Sequence, residues 1–145
     1  MNYIVLLLAC LLGNQICAQP VVRPDPEKAT LVIYRDFSTS NYVPDFHVNF
    51  NIWVNGQRIC KLSDNRYLIY TIDPGPVNLQ AKAAGFFLSK RCRFMTDVKV
   101  GQVYYISCYQ RNDILFRWLE MTLVPYENSR ARMTNMQADH CMERL

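Results

Sequence analysis

Six cysteines and two histidines are the side chains of this 145-residue chain best suited to covalent or metal chemistry. Asp139, His140 and Cys141 could supply three metal ligands. Residues adjacent in sequence rarely converge on one ion, however, and no CxxC or HxxxH spacing supports them, so no metal site is expected. A cysteine nucleophile needs a base beside it and a lowered pKa. Cys60 with His47 is the one pair that could supply this, which makes a thiol- or His-dependent enzyme the catalytic alternative. A disulfide is the commoner fate of an exported cysteine. The chain has no GxSxG, no Gly-rich phosphate loop and no paired-carboxylate motif. These residues lead to the expectation of a non-enzyme without a cofactor.

The start of the chain speaks for export. No charged side chain occurs in residues 1–18, and Ile4 to Leu12 is an apolar run of nine, short of the ~20 needed to span a bilayer. Ile16 and Ala18 then stand at −3 and −1 of a cleavage site before Gln19, so residues 1–18 read as a signal peptide. Leu7-Leu8-Ala9-Cys10 offers a competing lipoprotein reading. Cleavage after Ala18 leaves four cysteines, Cys60, Cys92, Cys108 and Cys141, whereas lipidation at Cys10 leaves an unpaired fifth. Soluble export to the periplasm, cell surface or exterior is therefore the favoured expectation.

The elements that must position these residues are mostly strands. Residues 19–28, with Pro20, Pro24 and Pro26, read as an extended linker, and residues 29–125 as one β domain. Phe46, Val48, Phe50, Ile52 and Val54 alternate with His47, Asn49, Asn51 and Trp53, the period of a strand with one buried face. Asn55-Gly56 supplies the positive φ values of a type I′ hairpin. In its simple register Ile52 faces Ile59 and Asn51 faces Cys60, which places Cys60 on the outer side near Trp53 and Arg58. The face formed by His47, Asn49, Asn51, Trp53 and Arg58 combines stacking area with amides, as a sugar- or partner-binding sheet does.

A second hairpin is expected from Arg91 to Gln110, turning at Lys99-Val100-Gly101. Its register sets Cys92 opposite Cys108, within disulfide range. By elimination Cys60 pairs with Cys141. Residues 126–145 read as a tail with a short helix, Ser129 as its N-cap, and Met133 and Met136 packed on the Trp53 indole.

The opening strand ATLVIYR, the hairpin VNGQRICKL, the strand RYLIYTIDPG with NLQAKAAG after it, and VKVGQVYYI together resemble an uncharacterised bacterial envelope family, the domain of unknown function 2846 (DUF2846). Pro74-Gly75 and Gly85-Phe86 also resemble the PEGA-type surface domains. The resemblance implies a single antiparallel β-sandwich of prealbumin or transthyretin type, with about seven to eight strands. It implies an exported protein and carries no catalytic residues. The formal charge of +4 is spread along the chain, with no basic cluster of the kind nucleic-acid binders use. The expected partner is another envelope or extracellular protein or a glycan, with no nucleic acid and no transmembrane span.

Overall fold

The computed structural model describes residues 22–36, 48–84, 90–112, 117–139 and 141. The proposed signal segment, Cys10, Cys17, His47 and His140 lie outside the described residues. In chain order the elements are β1 (Ala29–Arg35), β2 (Phe50–Val54), β3 (Gln57–Leu62), β4 (Arg66–Ile72), β5 (Gly75–Ala83), β6 (Cys92–Val98), β7 (Val103–Asn112), β8 (Arg117–Val124), a helix α1 (Tyr126–Met133) and the two-residue β9 (Gln137–Ala138).

All seven residues of β1 are buried. A strand that is apolar on both sides must lie inside a sheet and be covered on both faces. β1 accordingly takes the centre of a five-stranded sheet ordered β8-β7-β1-β4-β9, facing a four-stranded sheet ordered β3-β2-β5-β6. The mostly β sandwich expected from the sequence is present, but it is not wholly antiparallel. β1 runs parallel to β7, and β4 runs parallel to β9. Between the sheets, Leu31 and Ile33 meet Phe50, Ile52, Leu79, Ile106 and Leu119, all fully buried. Each such side chain is worth roughly 1.5–3 kcal/mol in transfer free energy.

The second hairpin is the largest departure from expectation. Gly101 does hold a left-handed φ of 71°. Beyond it the strands part instead of pairing: β6 joins β5 in the four-stranded sheet, while β7 crosses to lie beside β1. Tyr104, Ile106 and Cys108 pack into the core from one sheet, and Cys92 and Phe94 pack against it from the other. The turn therefore closes one end of the sandwich rather than joining neighbours in one sheet. With the expected register gone, the expected Cys92–Cys108 bridge is absent, and both residues are free thiols.

The first hairpin turns as expected, with φ of 50° at Asn55 and 85° at Gly56, and Val54 faces Gln57. A bulge between Ile52 and Trp53 then shifts the register, so Ile52 faces Cys60 and Asn51 faces Lys61. The bulge accommodates one extra residue on β3 and leaves Ile59 and Cys60 both buried. Cys60 belongs to the core and not to the outer face.

Candidate functional site

Among the described residues, the tail covers one outer face of the sandwich and leaves the other open. α1 starts after Pro125, and Ser129 is not its N-cap but a buried residue in its middle. The Ser129 hydroxyl donates to Pro125 O at 3.1 Å and accepts from Tyr34 Oη at 3.4 Å. Met133 and Met136 pack with Val32 and Tyr34 on the outside of the five-stranded sheet, not on Trp53. Past β9, Cys141 bonds to Cys60, with their Cα atoms 4.6 Å apart. This disulfide, expected by elimination, clamps the tail to β3 where the edges of the two sheets meet.

Asp139 stands at that clamp. One of its carboxylate oxygens accepts from Ser63 N at 2.8 Å, and its own N–H donates to Tyr67 O at 2.8 Å. Its carboxylate and the sulfurs of Cys60 and Cys141 lie within 4.8 Å of one another. Asp139 and Cys141 thus do approach one point, the arrangement that sequence spacing argued against. Both sulfurs are committed to the disulfide, which leaves one carboxylate as a ligand. The same bond holds the sulfur that a Cys60–His47 nucleophile would need.

The open face is the outside of the four-stranded sheet. On β2, Asn51 and Trp53 point outward between the buried Phe50, Ile52 and Val54. Arg58 and Lys61 of β3, Gln80 and Lys82 of β5 and Arg93 of β6 share that side by strand alternation. The pairings order them into rows. Trp53 has Arg58 on one flank and Gln80 on the other, and Gln80 faces Arg93. Asn51 lies between Lys61 and Lys82. Arg91, just before β6, places its guanidinium 5.8 Å from the centre of the Trp53 ring.

Of the five residues the sequence assigned to this face, Asn51, Trp53 and Arg58 are brought together. Asn49 is half-buried just before β2, where its carbonyl accepts from Ala84 N at 2.8 Å. His47 lies outside the described residues. Sequence reasoning missed Lys61, Lys82, Arg91 and Arg93. The alternation of Pro76, Asn78, Gln80 and Lys82 was a legible signal, but the pairing of β2 with β5 and of β5 with β6 was not.

A second polar group is sealed inside. Arg35, fully buried at the end of β1, donates to Val48 O at 2.6 Å and to Gln110 Oε1, pairs with Asp64, and lies 4.8 Å from the Phe50 ring centre. A buried guanidinium with these partners pins β7 and the β3–β4 turn to β1. It acts as a structural bolt between strands.

The sequence profile of a protein family of unknown function, DUF2846, matches residues 25–116, well over half of the chain. The chain belongs to that family. The matched span runs from just before β1 through β7, so the DUF2846 region includes the whole open face, while β8, α1 and the Cys141 clamp lie beyond it. No curated protein and no solved structure matches the chain. No helix among the described residues is long and apolar enough to cross a membrane.

Proposed function

We propose that this DUF2846 protein is an exported, non-catalytic interaction module, and that its working surface is the outer face of the four-stranded sheet around Trp53. One observation carries the reading: α1 and the methionines cover the outside of the five-stranded sheet, while the Trp53 face has no such cover among the described residues. A large aromatic flanked by guanidinium and amide groups is the composition of binding hot spots, where Trp and Arg are enriched. The thiol-enzyme alternative is weakened because Cys60 is buried and bonded to Cys141. Export rests on the uncharged first eighteen residues with their apolar run from Ile4 to Leu12, and agrees with a disulfide as clamp.

A glycan array together with a pull-down from native envelope provides the test. Trp53→Ala should lose at least about tenfold in binding, as a hot-spot aromatic does, while keeping the wild-type melting temperature. Leu123→Ser, at an exposed apolar site on the other sheet, should bind as wild type. Unchanged binding by the Trp53 variant would remove this face from the function.

A further inference from the structure

The charge on the open face selects the ligand. Arg58, Lys61, Lys82, Arg91 and Arg93 are all exposed there, and Asp97 at the far end of β6 is the one outward acidic residue of the four strands. This one face therefore carries the same excess of four positive charges as the whole chain. Arg58, Lys61, Lys82 and Arg93 make no ion pair among the described residues. By contrast, Arg111, Arg132 and Lys28 elsewhere on the surface each face a carboxylate. Unbalanced like charges on one sheet face contribute nothing to folding and cost some stability.

Resting on the binding-face reading above, we infer that the ligand is an acidic polysaccharide, a chain of sugar rings bearing carboxylates. The cations are spaced rather than clustered. Trp53 and Gln80 separate Arg58 from Arg93 in one row, and Asn51 separates Lys61 from Lys82 in the next. At ~4.8 Å per strand, the three spacings of the first row set Arg58 and Arg93 about 14 Å apart and the two of the second set Lys61 and Lys82 about 10 Å apart, the reach of an extended polymer rather than a single ion. Guanidinium and ammonium groups grip the carboxylates, and the amides of Asn51 and Gln80 serve the ring hydroxyls. The cation–π contact of Arg91 holds that charge beside the indole before a ligand arrives. Single-stranded nucleic acid fits less well, because successive bases need successive aromatic platforms and these four strands turn one ring outward, Trp53.

The test measures binding of the full chain to polygalacturonate, alginate and hyaluronate, with neutral amylose, a single-stranded oligonucleotide and anionic phospholipid vesicles alongside. Binding to the acidic polysaccharides is expected, weakening steeply as salt rises. The Arg58→Glu/Lys82→Glu variant should lose at least tenfold, Arg58→Lys/Lys82→Arg should retain most of the affinity, and Lys99→Glu in the β6–β7 turn should match wild type. Equal binding to amylose would overturn the ligand class while leaving the Trp53 face as a binding surface. Binding confined to the oligonucleotide or the vesicles, or to no probe at all, would overturn it as well. If Lys99→Glu and the double reversal lose affinity equally, the inference falls because the face is not what binds.

Discussion

Gly56 shows how a single backbone angle holds the open face in place. With φ at 85° and no atom within 4 Å of where a Cβ would stand, a substitution there meets backbone strain and no steric clash. The neighbouring Asn55 ties the turn to β5, its N–H donating to Asn78 O and its side-chain oxygen accepting from Asn78 N, both at 2.9 Å. Gly56→Val should therefore cost on the order of 1–2 kcal/mol or more, and Gln57→Val, at an exposed strand position, much less. Thermal melts of the two variants compare them, and equal midpoints would contradict the type I′ turn. The free thiols differ in the same local way. Burial, and secondarily the Cys92 sulfur, push the Cys108 thiol from 9.0 up to about 12, against a smaller opposing effect of Arg35. Because the folded-state value lies above the unfolded one, the stability this thiol contributes is whole below pH 9 and is lost as pH rises towards 12. Iodoacetamide at pH 8 should leave Cys108 unlabelled in the native protein and label both Cys92 and Cys108 after unfolding without reductant. Failure to label either one after unfolding would mean the two are bridged.

At the scale of elements, the tail acts as a second, small hydrophobic layer. Without α1 and Met136, the outer sides of Val32 and Tyr34 would lose their cover in the middle of the five-stranded sheet. Met133→Asp places a charge among Val32, Tyr34 and Met136 and should destabilise by about 2–4 kcal/mol, while leaving ligand binding at Trp53 intact in whatever fraction stays folded. Circular dichroism melts paired with binding titrations check both halves of that statement. The bulge in the first hairpin belongs to this scale too, since one extra residue turns Cys60 from an outward position into a core one.

For the molecule as a whole, the Cys60–Cys141 bond is the long-range constraint. It joins residues 81 apart in sequence, and for a loop of that size the chain-entropy account gives roughly 4–5 kcal/mol, often less in practice. Set against a total stability of about 5–15 kcal/mol, reduction should be felt. Reductant should lower the melting temperature by many degrees, and Cys141→Ser should reproduce the shift without reductant and show little further change when it is added. An unchanged melt on reduction would show that tail packing alone holds the sandwich closed.

The sequence by itself determined the features that depend on near neighbours. The alternation at Phe50–Val54 fixed which side of β2 is buried, Asn55-Gly56 fixed the turn, and the run ATLVIYR marked the opening strand. The tertiary structure decided everything that depends on which strands meet. Gly101 gives the same left-handed turn whether its flanking strands pair or part, and they parted because β1 required a partner on its second edge. The tail could have crossed either outer face, and the apolar Val32 and Tyr34 drew the methionines to one side while the charged Trp53 side offered them nothing comparable to bury against. Arg58, Lys61, Lys82, Arg91 and Arg93 are scattered along 36 residues of chain. They become one positive surface only when β3, β2, β5 and β6 pair, because charge acts through distance in space and a sequence records only distance along the chain.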